Sequence, residues 1–222
     1  MIKEIKPIDF NSKNVFKALF TTITLMVGNL FSIAFLSIVI KNSFIAHVIV
    51  YTIFILFIFL CNKRNLIDSF KNIKKDIKSN YKSILLYTLL FLLLEFIANF
   101  IIIKLTGKNI NNNVTLMNVF NEKNKVLFIS YILLIGPIFE SLMMIYPYKE
   151  IPNKKLAYIF MTIIFALFHL MNASTLLELL FFIPYLFMGF AFNYSFYKTN
   201  NIYLSIIIHS INDLIVFVLL LI

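Results

Sequence analysis

Runs of eighteen or more predominantly apolar residues recur along the whole chain, and this decides the class of fold. So much apolar surface cannot be hidden in one water-soluble core. Hydrophobic residues make up 61% of the 222 positions and charged residues only 14%, well below the roughly 25% charge of a soluble domain. The chain reads as an integral membrane protein. An outer-membrane barrel would show strands of about ten residues with alternating polarity, and these runs are longer and barely alternate. The expected fold is therefore all-α, a polytopic helical bundle forming a single membrane domain over residues 1–222.

Apolar spans fall at 15–40, 43–61, 83–104, 126–150, 156–173, 176–197 and 202–222, which predicts seven transmembrane helices. The segment 1–125 would hold the N-terminal helices and loops, and 126–216 the functional core. Of the 20 basic residues, 15 fall in alternate loops: Lys3, Lys6, Lys13, Lys17, then Lys63 to Lys82, then Lys149, Lys154 and Lys155, and last Lys198. The positive-inside rule then predicts a cell-membrane protein with its N-terminus cytoplasmic and its C-terminus external. A net charge of +10 gathered in such loops signals orientation, and no nucleic-acid partner is expected.

Between the second and third spans, Leu66, Ile67, Phe70, Ile73 and Ile77 recur at helical spacing opposite lysines, which predicts an amphipathic helix on the inner leaflet, with membrane lipid as its partner. The Asn-rich stretch 106–125 reads as an external loop. The single cysteine, Cys61, excludes an internal disulfide and any multi-cysteine metal site. The charged N-terminal segment lacks the form of a cleaved signal, so the first helix is expected to stay. Gly136 and Pro137 in the fourth span, and Pro184 and Gly189 in the sixth, are places where a helix loosens or bends.

Against this background the polar residues inside the spans stand out. An ionisable group near the bilayer centre costs at least about 2.5–3.5 kcal/mol, so it usually faces a polar interior and marks function. Glu140 in "LLIGPIFESLMMIY", His169 in "IIFALFHLMN", and His209 and Asp213 in "YLSIIIHSINDL" all qualify. Phe165 and His169 share a helix face, as do His209 and Asp213, with Asn212 three residues from His209. Counted along the helices from the turn near Pro152, Glu140 and His169 differ in depth by two turns or less. One shared site, with side chains within about 10 Å, is therefore expected. Glu95 and Glu178 have no matching local partner and read as helix-pairing or snorkelling groups.

The segments "PIFESLMMI", "FALFH" and "HSIND", in that order and in separate spans, resemble the three motifs of the CAAX-protease and bacteriocin-processing (CPBP, Abi) family of intramembrane peptidases. The family pattern is Glu-Glu-x-x-x-Arg, Phe-x-x-x-His and His-x-x-x-Asn. The resemblance covers about residues 126–216 and implies that Glu140, Phe165, His169 and His209 are the motif residues. Ser141 replaces the second Glu, Ile145 stands at the Arg, and Asp213 stands at the Asn, with Asn212 one residue earlier. Losing a buried Glu–Arg pair together avoids the roughly 3–5 kcal/mol cost of stranding one charge.

The resemblance implies peptide hydrolysis by a glutamate-activated water. Glu140 would be the base, His169 would hold the same water, His209 and Asn212 would donate to the oxyanion, and Phe165 would contact substrate. Asp213 can donate only when protonated, which weakens that assignment. No cofactor is expected. Two histidines and a carboxylate are nevertheless a known zinc ligand set, so a divalent metal on Glu140, His169 and His209 is the alternative, although the sequence has no H-E-x-x-H. The other classes in play are a noncatalytic scaffold or immunity protein and a transporter with a proton relay. The Lys-, Ile- and Asn-rich composition suggests a bacterial chain, for which a membrane-associated peptide is a better substrate than a prenylated protein.

Overall fold

The computed structural model describes residues 12–107, 125–144, 148, 150–171, 173 and 175–221, and all regular structure among them is helical. We number the helices α1 (Ser12–Ile40), α2 (Ser43–Thr106), α3 (Lys125–Met143), α4 (Lys154–His169), α5 (Leu176–Thr199) and α6 (Ile202–Leu221). Five of them, all but α4, are long and apolar enough to cross a membrane. α2 packs on α1, α3, α5 and α6, and α4 is held against α5. The predicted loop at 106–125 lies almost wholly outside the described residues.

The largest departure from the seven expected spans is α2. The second span, the amphipathic segment and the third span form one helix of 64 residues, with no Gly or Pro to interrupt it. Asn42 caps its start by accepting from the Ile45 N–H at 3.1 Å, and Gly107 ends it at φ +65°, a conformation that costs glycine little. Yet Tyr51 and Glu95, near its two ends, line the same cavity. A straight helix would hold them roughly 66 Å apart at about 1.5 Å per residue, so α2 turns back on itself. In its polar middle the amide groups of Asn62, Asn72 and Asn80 donate to the carbonyls of Ile58, Asp68 and Asp76 one turn earlier.

That bend meets the turn between α5 and α6. Asn201 donates to the Ser69 carbonyl and to Asp76 Oδ2, both at 2.7 Å, and Phe70 packs edge-on against Tyr203. Close by in the chain, the Tyr148 and Phe196 rings pack at a tilt with centres 4.5 Å apart, and Lys17 pairs with Glu150 at 2.8 Å. Four of the lysine-bearing segments are thereby linked through neighbouring contacts.

Large apolar side chains point outward along the helices, among them Phe16, Phe31 and Phe35 on α1, Leu86 and Leu93 on α2, and Ile211 and Leu219 on α6. Such a surface suits lipid and would aggregate in water. Inside, Phe139, Phe165, Phe192 and Met161 fill the centre. Gly136 and Pro137 have the predicted local effect. The turn before them, Tyr131–Ile135, is a π-helix whose wide hydrogen bond runs from the Gly136 N–H to the Tyr131 carbonyl. Pro137 has no N–H to offer the preceding turn, and a single π turn admits the extra residue that resets the helix face. Pro184, in contrast, sits in the first α-helical turn after a short 3₁₀ start, where an N–H has no intrahelical partner to lose.

Candidate active site

α3, α4 and α6 each bring one group to a common point. Glu140 Oε2 lies 3.5 Å from His169 Nε2 and 3.6 Å from His209 Nε2, and His209 Nε2 lies 3.7 Å from Asp213 Oδ2. All four residues line a cavity of about 350 Å³ between the helices. Glu140 and Asp213 keep 17% and 21% of their side-chain area accessible, whereas His209 keeps 2%. The three residues singled out in separate apolar runs are therefore neighbours, with Glu140 in the α-helical segment that follows the π turn.

The two imidazoles are held in different ways. His169 Nδ1 lies 3.0 Å from the Phe165 carbonyl, which can only accept, so Nδ1 carries the proton and the neutral ring turns a bare Nε2 toward Glu140. His209 Nδ1 has no hydrogen-bond partner among the described residues, while its Nε2 faces two carboxylates. The tautomer with the proton on Nε2 fits this setting, because the proton then points at acceptors. His169 is thus an acceptor toward the cavity and His209 a donor.

Aromatic packing fixes these rings. Phe192 stacks on His209 at 4.3 Å with planes 4° apart, and Phe165 lies 4.1 Å from the His169 ring and 5.6 Å from the His209 ring. Phe165, expected from the sequence to touch substrate, is 1% exposed and is not on the cavity wall; it supports both imidazoles from below. Gly189 makes room for it. A Cβ there would lie 3.1 Å from the Phe165 ring and 3.3 Å from the Thr162 carbonyl. Gly189→Val is accordingly expected to push α5 off α4, lowering stability by about 1–3 kcal/mol and displacing both imidazoles. A detergent melting curve measures the first effect.

Asn212 is fully buried on the cavity wall and faces both Asp213 and Glu95. Glu95 is the residue that the sequence did not place. It is 4% exposed, and it lines the cavity beside the C-terminal motif. Its partners are on α6, so no local spacing announces them. Tyr51 and Tyr131, with ring centres 5.7 Å apart, and Asn29 extend the polar lining on the far side. Among the described residues, no group of three His, Cys, Asp or Glu side chains is arranged to hold a metal ion.

A cavity enclosed by apolar helices and lined by an acid and two oppositely polarised imidazoles belongs to the class of polytopic helical proteins with a buried Glu–His–His site. Residues 122–215 match the family described as type II CAAX prenyl endopeptidase Rce1-like. No curated protein and no solved structure matches the chain.

Proposed function

We propose that the protein is an intramembrane endopeptidase that cleaves a membrane-associated peptide or protein with a water activated by Glu140. The observation that carries this reading is the approach of one Glu140 oxygen to the Nε2 atoms of both histidines, within 3.6 Å, on a cavity wall. A water about 2.8 Å from each atom can donate one hydrogen to Glu140 and the other to His169 Nε2. Its lone pair then faces the cavity. Glu140 takes the proton as the water attacks the scissile carbonyl, and it returns that proton to the leaving amine, with His169 accepting a hydrogen bond throughout. His209 Nε2–H and the Asn212 amide donate to the oxyanion. In the alternative reading, Glu140, His169 and His209 would close on a divalent ion such as zinc, which would polarise the carbonyl.

The natural substrate in this reading is a bacteriocin or signalling-peptide precursor, or a protein processed for self-immunity. Incubating the purified protein with a membrane-peptide library and reading products by mass spectrometry, beside Glu140→Ala, tests the activity. Products that depend on Glu140 support it, and a chelator arm decides the metal question. The departures at Ser141, Ile145 and Asp213 favour a second reading, a noncatalytic scaffold or immunity protein on the same fold. An intact cellular effect in Glu140→Ala, without products from either form, would select it.

The proposed topology has seven crossings, with α2 entering and leaving and the shorter α4, of 16 residues, crossing as well, a cytoplasmic N-terminus and an external C-terminus. It is supported by the grouping of Lys17, Ser69, Asp76, Tyr148 and Asn201 through their contacts, because these lie in segments that the charge bias assigns to the inside. An outside-only reporter on Ile222 and an inside-only reporter in the 62–82 segment are both expected to be active. Silence of both, with protein present, would reverse the orientation.

A further inference from the structure

Hydrolysis occupies Glu140 and the two imidazoles, and leaves a second acid pair on the same cavity unused. Glu95 from α2 and Asp213 from α6 both line that cavity. Asn212 is 0% exposed and its side chain interacts with both carboxyl groups. Glu95 Oε2 is buried without a hydrogen-bond partner among the described residues. Among the described residues lining the cavity there is no Lys or Arg; its basic groups are His47, His169 and His209.

Buried carboxylates are costly unless a cation or donor meets them, and here the side that remains open is the cavity itself. We propose that Glu95, Asp213 and Asn212 form a subsite for a basic side chain, lysine or arginine, of the peptide substrate. The assignment rests on the peptidase reading for the identity of its ligand as a substrate. Carboxylates and an amide oxygen are acceptors, and a lysine ammonium or an arginine guanidinium offers only donors. Ile132, Val216 and Phe217 on the same cavity can cover the aliphatic stem of such a side chain.

The position along the substrate follows from His209. Its Nε2 lies 3.6 Å from Glu140 and 3.7 Å from Asp213, so the acid pair begins immediately beside the point of water attack. An extended peptide advances about 3.3–3.6 Å per residue, which places the basic residue one or two positions from the scissile bond. Substrates with an apolar residue there would leave the acids without a donor.

The test uses Glu140→Gln protein in neutral-lipid nanodiscs, so that binding is read without cleavage. The probes are fluorescent apolar peptides that differ only in one central residue, lysine or norleucine. The lysine peptide is expected to bind about tenfold tighter or more, as a buried charged hydrogen bond allows. Adding Glu95→Gln and Asp213→Asn should erase the preference and leave the norleucine peptide within about twofold of its parent affinity. Retained norleucine binding also reports that the fold survives. Equal affinities for the two peptides in the parent, or a preference that outlives both substitutions, would overturn the subsite. Competition by sodium but not by choline, with no lysine preference, would assign the acids to an inorganic cation and overturn it as well. If the lysine preference holds while the unsubstituted protein cuts nothing, the hydrolysis reading alone is lost.

Discussion

Glu140→Gln is expected to abolish peptide cleavage, a loss on the order of 10³-fold or more, while the protein stays folded and in the membrane. Gln keeps the length and shape of Glu, so no hole opens in the helix segment that carries it. It is neutral, so it removes a buried charge rather than adding one. What it cannot do is take a proton from water. The control is the detergent melting temperature, which should not fall. Wild-type cleavage in the Gln variant would show that the carboxylate is not the base.

The second large effect is expected at the imidazoles, with a different pattern for each. His169→Ala should cost on the order of 10² to 10⁴ in kcat, because the water loses the acceptor that orients its second hydrogen. His209 is enclosed by Phe192, Phe165 and the helix behind it, so alanine there would leave a cavity. His209→Gln is the better probe, since it keeps a donor of similar reach. Glutamine should therefore retain measurably more activity at 209 than alanine does at 169. Product yields from one peptide at saturating concentration make the comparison, and the reverse order would contradict the roles assigned to the two rings.

The sequence announces Glu140, His169 and His209 because a polar group within an apolar run carries an evident cost, and because Phe165–His169 and His209–Asp213 fall on shared helix faces. Counting along the helices brings the three to similar depth, and the 3.5 and 3.6 Å separations fall well inside that expectation. Glu95 follows the opposite logic. Its neighbours on the cavity are Asn212 and Asp213, on a helix more than a hundred residues away, so only the fold reveals them.

α2 shows how element boundaries escape a reading by hydropathy. Hydropathy sees two apolar runs and a charged middle, and divides them accordingly. Backbone continuity depends instead on helix breakers, and the segment contains none. The polar middle that separates the two runs stays helical, with Asn62, Asn72 and Asn80 each bonded to its own helix, so no single punctuating residue marks the reversal. Phe165 is a related case. As a motif residue beside a histidine it suggests a substrate contact, yet its ring is spent on supporting the two imidazoles, with Gly189 giving it space.

The central claim is that a water held by Glu140 and His169 is the attacking group. A single-turnover digestion in water enriched with heavy oxygen, analysed by mass spectrometry, tests it directly. Attack by water places one heavy oxygen atom in the new C-terminal carboxyl group of the product on the first turnover. First-turnover product without the label would show that a protein carboxylate attacks and contributes its own oxygen, and this would contradict the account.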